Sequence, residues 1–236
     1  MNLEVGLMIS KWGRGVLLTA MLVPAANGFA DGDRSGIAIA GDLGTLGYGA
    51  DIFYRLNDNF VVRGGFNGAS FNREMEEEDV TYDATLELQS MRLGVDYYPF
   101  KGGFRLSAAY GNYGNEIDLV ASPSGDTIEI NDEEYNTETE IDSLTGNVSS
   151  PSGAAYVGLG WGNPVKRGKR FGVMFDVGVM MVGEADVELV AVCPEGSLSC
   201  HSLQSDVDIE EAKLQADLGD AYKFWPVVNL ALSYQF

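Results

Sequence analysis

Seven charged residues, Asp51, Arg55, Arg63, Arg92, Asp96, Arg105 and Asp176, each interrupt a stretch in which every second residue is apolar. Side chains of an extended strand project to alternate sides, so such ions share the face opposite the apolar one. Gathered on the inside of a narrow fold, they must pair with one another or with trapped water to offset desolvation. Two chemistries follow from that: a salt-bridged plug that seals a polar interior, or a gated polar path that opens when the pairs rearrange. An inward aspartate such as Asp96 or Asp176 is the expected partner of Arg92.

A second concentration of charge is acidic and lies in polar connecting segments. Glu74, Glu76, Glu77, Glu78 and Asp79 form one run, Asp132, Glu133 and Glu134 another, and Asp206, Asp208, Glu210 and Glu211 a third. Sharing one rim, they raise the local level of small cations; the same run of charge also serves simply to keep long loops solvated. The formal net charge of -20 excludes a nucleic-acid binder, which needs clustered Lys and Arg.

Catalysis has little to stand on. His201 is the single histidine, and Ser202 adjoins it without an evident oriented acid to complete a triad. There is no zinc-ligand cluster and no phosphate-binding glycine loop, so neither enzyme activity, a cofactor nor a metal is expected.

The elements that position these residues read as strands. In the last thirteen residues Val228, Leu230, Leu232, Tyr234 and Phe236 fall on one face and Val227, Asn229, Ala231, Ser233 and Gln235 on the other. Aromatic residues mark both ends of this strand with aliphatics between, which suits a bilayer whose interfaces favour Phe, Tyr and Trp. The alternation recurs from Ser35 to Leu43, Gly47 to Leu56, Phe60 to Phe71, Thr85 to Tyr98, from Phe104 through Tyr110, and in Ala154 to Gly162 and Phe171 to Met181. Gly44-Thr-Leu-Gly47 is assigned as a turn, because a kink there leaves seven strands and a closed bacterial barrel needs an even number. The alternation changes phase above Gln89, where Leu86 and Leu88 lie on the other parity, which predicts either a bulge or a strand end that projects beyond the lipid.

Turns after the second, fourth and sixth strands are short, and connections after the third, fifth and seventh are long. The long ones comprise the acidic loop Asn72 to Asp79, an aperiodic loop from Ser122 to Ser152, and a segment with a short helix over Asp206 to Leu218. This alternation predicts an all-β fold: an eight-stranded antiparallel up-and-down transmembrane barrel, with short periplasmic turns and long acidic extracellular loops. A soluble eight-stranded barrel places its apolar face inside, whereas here the inner face carries the ions.

At the amino terminus Lys11 and Arg14 precede an apolar stretch from Gly15 to Ala26, and Gly28-Phe-Ala30 supplies the small residues of a cleavage site. Residues 1–30 therefore read as a secretory signal peptide and 31–236 as one barrel domain. Export to an oxidising compartment lets Cys193 and Cys200, in a Pro-Glu-Gly-Ser loop, pair as a disulfide.

Gly44-Thr-Leu-Gly-Tyr-Gly-Ala50, Tyr54-Arg-Leu-Asn-Asp-Asn59, Tyr97-Tyr-Pro-Phe-Lys-Gly-Gly-Phe-Arg-Leu-Ser107, Tyr156-Val-Gly-Leu-Gly-Trp-Gly-Asn163 and the terminal Tyr234-Gln-Phe236 together resemble the small eight-stranded outer-membrane barrels of Gram-negative bacteria. Among these the chain is most similar to the CarO-type barrels associated with ornithine uptake. The resemblance implies residence in the outer membrane and recognition of Tyr234 and Phe236 by the barrel-assembly machinery. It also implies a narrow or gated porin that passes small cationic solutes such as basic amino acids. A closed structural barrel of the OmpA or OmpX kind, whose loops serve adhesion or envelope integrity, is the alternative. The acidic rim could then hold divalent ions between neighbouring lipopolysaccharides.

Overall fold

The computed structural model describes residues 36–236 apart from 78–79, 124–126, 132, 138, 195–196, 198 and 222. The signal peptide and the cleavage point lie outside the described residues. Among the described residues, thirteen strands and one helix run in chain order as β1 (Ile37–Gly44), β2 (Gly47–Arg55), β3 (Phe60–Glu77), β4 (Val80–Tyr97), β5 (Phe104–Tyr113), β6 (Glu116–Pro123), β7 (Thr127–Ile130), β8 (Glu133–Asn136), β9 (Ser143–Ser149), β10 (Gly153–Trp161), β11 (Phe171–Met181), β12 (Asp186–Val192), α1 (Cys200–Ala221) and β13 (Phe224–Gln235).

Eight of these strands close into an antiparallel barrel in the order β4, β3, β2, β1, β13, β11, β10, β5, and the pairing of β5 with β4 removes the free edges. The Gly44 to Gly47 segment is a turn between β1 and β2, whose ladder runs from Ile37 opposite Tyr54 to Gly44 opposite Gly47. The C-terminal strand seals the barrel, with Ile39 opposite Tyr234 on one side and Phe171 opposite Tyr234 on the other.

Outward positions carry a continuous apolar band that includes exposed Ile39, Ile52, Phe66, Leu93, Leu159, Val173 and Leu232. Water leaves such a surface without a partner, and hydrocarbon does not. At the short-turn end the band is bordered by aromatic pairs: Phe60 stacks on Tyr97 at 4.9 Å between centroids, Phe104 meets Trp161 at 5.6 Å, and Phe171 meets Tyr234 at 5.2 Å. Amphipathic rings of this kind favour the headgroup level.

The long connections are largely structured. The segment from Asn72 through Glu77 continues β3, so this part of the expected acidic loop is strand; Glu78 and Asp79 fall outside the described residues. The ladder of β3 and β4 keeps one register from Phe60 opposite Tyr97 to Glu77 opposite Val80, which excludes the bulge and leaves the projecting strand end. After Tyr113 the chain breaks briefly at Gly114 and Asn115 and then resumes upward along the same strand as β6, with Glu116 opposite Glu87. Likewise β9 rises above β10 and β12 above β11, and the two pair from Asp186 opposite Ser149. Five barrel strands thus extend into a five-stranded sheet above the bilayer, ordered β12, β9, β6, β4, β3.

The region from Ser122 to Ser152 holds β7, β8, β9 and the end of β6 instead of one aperiodic loop. Strands of four to seven residues are too short to leave a readable period, and their pairing comes from the neighbouring sheet. The helix is longer than Asp206 to Leu218, starting at Cys200 and ending at Ala221. Its Leu203 and Val207 are fully buried against Ile128, Ile130, Tyr135 and Leu144, forming a second hydrophobic core outside the barrel. The helix also covers the outer edge of the sheet. Gln215 and Glu211 accept hydrogen bonds from the backbone N–H groups of Val187 and Leu189 in β12, at 2.9 and 2.8 Å. A sheet edge blocked in this way cannot recruit another strand. Cys193 and Cys200 are joined by a disulfide that ties the end of β12 to the first turn of α1.

Candidate functional site

The polar lumen is the densest assembly of charge that the fold creates. Strand parity turns Asp51, Arg63, Arg92, Asp96, Arg105 and Asp176 inward, and each is at least nine-tenths buried. In the half nearer the short turns, Arg105 donates to Asp176 at 2.7 Å and to the carbonyl of Gly162 at 2.5 Å, with its Nε 3.6 Å from Asp96. Arg63 approaches the other oxygen of Asp176 at 3.6 Å, and Ser107 donates to Asp96 at 2.6 Å. Inward glycines make room for these long side chains. A Cβ at Gly160 would stand 2.7 Å from the Arg105 guanidinium carbon, and one at Gly65 would overlap the Asp51 carboxylate.

Nearer the cell exterior, Arg92 donates to both oxygens of Asp51, at 3.1 and 3.2 Å. Its partner is therefore Asp51, and not the expected Asp96 or Asp176, because its neighbours across the lumen come from β2 and β3 while those two aspartates are taken by Arg63 and Arg105. Arg92 also donates to the Asn67 side-chain oxygen, and the Asn67 amide nitrogen donates to Asp42. Asp42 and Asn67 belong to the site although neither is among the seven ions that the sequence singles out. The signal was present, since Asp42 alternates with Ala38 and Ala40, but nothing in one strand tells which neighbour its carboxylate meets. Arg55 stands apart at the periplasmic mouth, where its guanidinium donates to the carbonyl of Val165 at 2.7 Å.

Apolar layers close the lumen on both sides of the ions. Phe53, Val61, Tyr98, Val165 and Met174 fill the periplasmic side, Val165 being contributed by the turn between β10 and β11. Leu46, Tyr113, Tyr156, Met180, Val182 and Val227 fill the opposite side, with Trp225 packed against them. An eight-stranded barrel is just wide enough for side chains to fill it, and here the paired ions lie between two apolar clusters.

The acidic segments divide between two fates. Glu74, Glu133 and Glu134 are exposed, and Glu76 and Glu77 continue the β3 strand, but Glu78, Asp79 and Asp132 lie outside the described residues. The outer face of the projecting sheet adds Asp83, Glu87, Asp118, Asp186 and Glu188. Asp206 instead accepts from Tyr135 and, at 3.0 Å, from Asn131, which together with Lys213 holds its carboxyl below the ordinary value. Burial and that same bond to Asp206 push the Tyr135 phenol up to about 12. Glu210 is buried beside Lys213, and Glu211 is engaged with β12. Only Asp208 of that run remains exposed, hydrogen-bonded to Gln204. Tyr234 packs on Phe171 and Phe236 at the periplasmic rim.

No family model matches the sequence, and no curated protein matches it. Solved structures that share the fold include two from one organism. CarO2 of Acinetobacter baumannii is 21% identical, with a TM-score of 0.57 over 87% of this chain and 100% of its own. CarO of the same organism is 21% identical, with a TM-score of 0.55 over 84% of this chain and 97% of its own. At this identity the likeness is one of fold: the closed eight-stranded antiparallel barrel of outer-membrane proteins.

Proposed function

We propose that the protein is a sealed outer-membrane barrel that anchors a rigid acidic platform above the outer leaflet and acts there in envelope integrity or surface adhesion. The observation that carries this reading is the double apolar closure of the lumen around a paired ion network. The covered sheet edge and the second core support it too, since a passive loop has no need of either. The acidic outer face of the sheet suits divalent ions shared with lipopolysaccharide phosphates. The decisive experiment is a planar-bilayer recording of the purified barrel. Absence of steady conductance is expected, and steady ion conductance overturns the sealed reading.

A second reading, passage of small cationic solutes such as basic amino acids, is favoured by one observation: buried carboxylates in the lumen outnumber the guanidiniums. It requires faster liposome swelling with ornithine or arginine than with glutamate or neutral sugars of similar size. Under either reading the chain is made with a signal peptide removed after Ala30, which mass spectrometry of the mature protein checks. Tyr234 and Phe236 form its assembly signal, so Phe236→Ala lowers the inserted amount more than Ser233→Ala does.

A further inference from the structure

Four aspartates and three arginines are buried in the lumen. The group nearer the periplasm is balanced, Arg63 and Arg105 facing Asp96 and Asp176. The group nearer the exterior is not, because Asp42 and Asp51 share Arg92, while Arg63, which also feels Asp51, is already engaged by Asp176. Arg55 does not make up the difference: its backbone pairs with Gly36, six residues along β1 from Asp42 and roughly 20 Å away at strand rise. An uncompensated charge this deep is expensive, so it is met either by a proton or by a counter-charge from elsewhere.

The hydrogen bonds state which form of Asp42 the site is built for. Arg92 occupies the Asn67 oxygen, which turns the amide nitrogen toward Asp42 and makes Asp42 an acceptor. That contact favours an ionised carboxylate over a protonated one. Asn229 is a second buried amide beside Asp42, but the remaining oxygen, Asp42 Oδ2, is buried and makes no hydrogen bond of good geometry among the described residues, and the same holds for Ser90 Oγ. These residues share one register row: Asp42 lies opposite Gly49, Gly49 opposite Asn67, and Asn67 opposite Ser90. Oxygen donors without nitrogen or sulfur suit a hard cation, and a deficit of one charge suits a monovalent one. The apolar layer of Leu46, Tyr113 and Trp225 lies beyond the ion network on the outer side of the lumen.

We propose that this row is a binding site for one small monovalent cation of sodium or potassium size, anchored by Asp42 Oδ2 with Ser90 Oγ as a second oxygen. The site rests on the barrel and not on conduction, so a barrel that never conducts can still bind.

The test melts the mature barrel in detergent near neutral pH, at constant ionic strength, while sodium or potassium replaces N-methylglucamine. The melting temperature of the wild type rises and saturates. Asp42→Asn loses the dependence, and Ser90→Ala shifts its midpoint several-fold upward. Sodium-23 line broadening reports the same occupancy without unfolding, and serves with Ser90→Ala alone should Asp42→Asn fail to insert. Identical melting in all three cations together with a sodium-23 line no broader than that of free sodium overturns the proposal, as does a cation dependence that survives in Asp42→Asn. A protonated-carboxyl infrared band in the wild type that Asp42→Asn removes also overturns it, by putting a proton where the cation was assigned.

Discussion

Strand β4 passes through two surroundings without changing its register. Below Gln89 its odd-numbered residues Met91, Leu93, Val95 and Tyr97 are exposed and apolar, while Ser90, Arg92 and Asp96 are buried and polar. Above Gln89 the same odd positions carry Glu87, Thr85 and Asp83, and the even positions Leu88 and Ala84 are buried. Outside remains outside throughout; what changes is the solvent there and the neighbour within. Hydrocarbon and a packed ion network give way to water and to a core closed by α1. A reversal of polarity along a strand therefore marks a change of surroundings as readily as a slip of the chain.

The largest test of this contrast lies in the barrel. Replacing the fully buried Arg105 with Met leaves Asp96 and Asp176 short of a partner, and is expected to cost about 3–5 kcal/mol of barrel stability. Denaturant unfolding followed by heat-modifiable mobility measures it, and a loss indistinguishable from zero would show that the network holds nothing together.

Two arginine substitutions on one face of β4 sharpen the comparison. Leu93→Arg, in the apolar band, should destabilise insertion into vesicles by about 2–4 kcal/mol, whereas Glu87→Arg, one repeat of the pleat above the bilayer boundary at Gln89, should stay within about 0.5 kcal/mol. Equal effects would mean that the boundary is drawn in the wrong place.

Smaller effects belong to the platform. Cys193→Ser frees a loop with a sequence separation of 7, a change worth about 2–3 kcal/mol on the chain-entropy account. Hydrogen exchange should rise in α1 and β12 and remain unchanged in β1 and β13. Smallest of all is the response to acid. Hydrogen bonds hold the Asp206 and Glu140 carboxyls below their ordinary values, so both stabilise the platform above the usual carboxylate range and lose that contribution as pH falls through it. Exchange in α1 should accelerate below about pH 4 in the wild type and show a weaker pH dependence in Asp206→Asn. The Tyr135 phenol has the opposite sense, being lost as a stabilising group only as pH climbs from 10 toward about 12.

Much of the barrel was legible because its two faces meet different solvents. Period two with an apolar set outside survives in any order of strands, and Arg63, Arg105 and Asp176 could be turned inward from parity alone. The platform was not legible for the converse reason. Thr127–Ile130 and Glu133–Asn136 are four-residue strands, and the acidic residues of β3 look like a loop until β4 is placed beside them. Asp206, Glu210 and Glu211 read as one solvated run, yet the helix turns each toward a different partner.

The amino-acid sequence by itself determined the strand period, the apolar exterior, the inward ions and the turn at Gly44 to Gly47, because alternation and turn chemistry act over a few neighbouring residues. Only the tertiary structure decided which ion meets which, that five strands climb beyond the bilayer, and that Asp42 shares a row with Asn67 and Ser90. Those outcomes depend on the stagger of strands distant in sequence, since a register set around the closed barrel brings residues together that no local pattern relates.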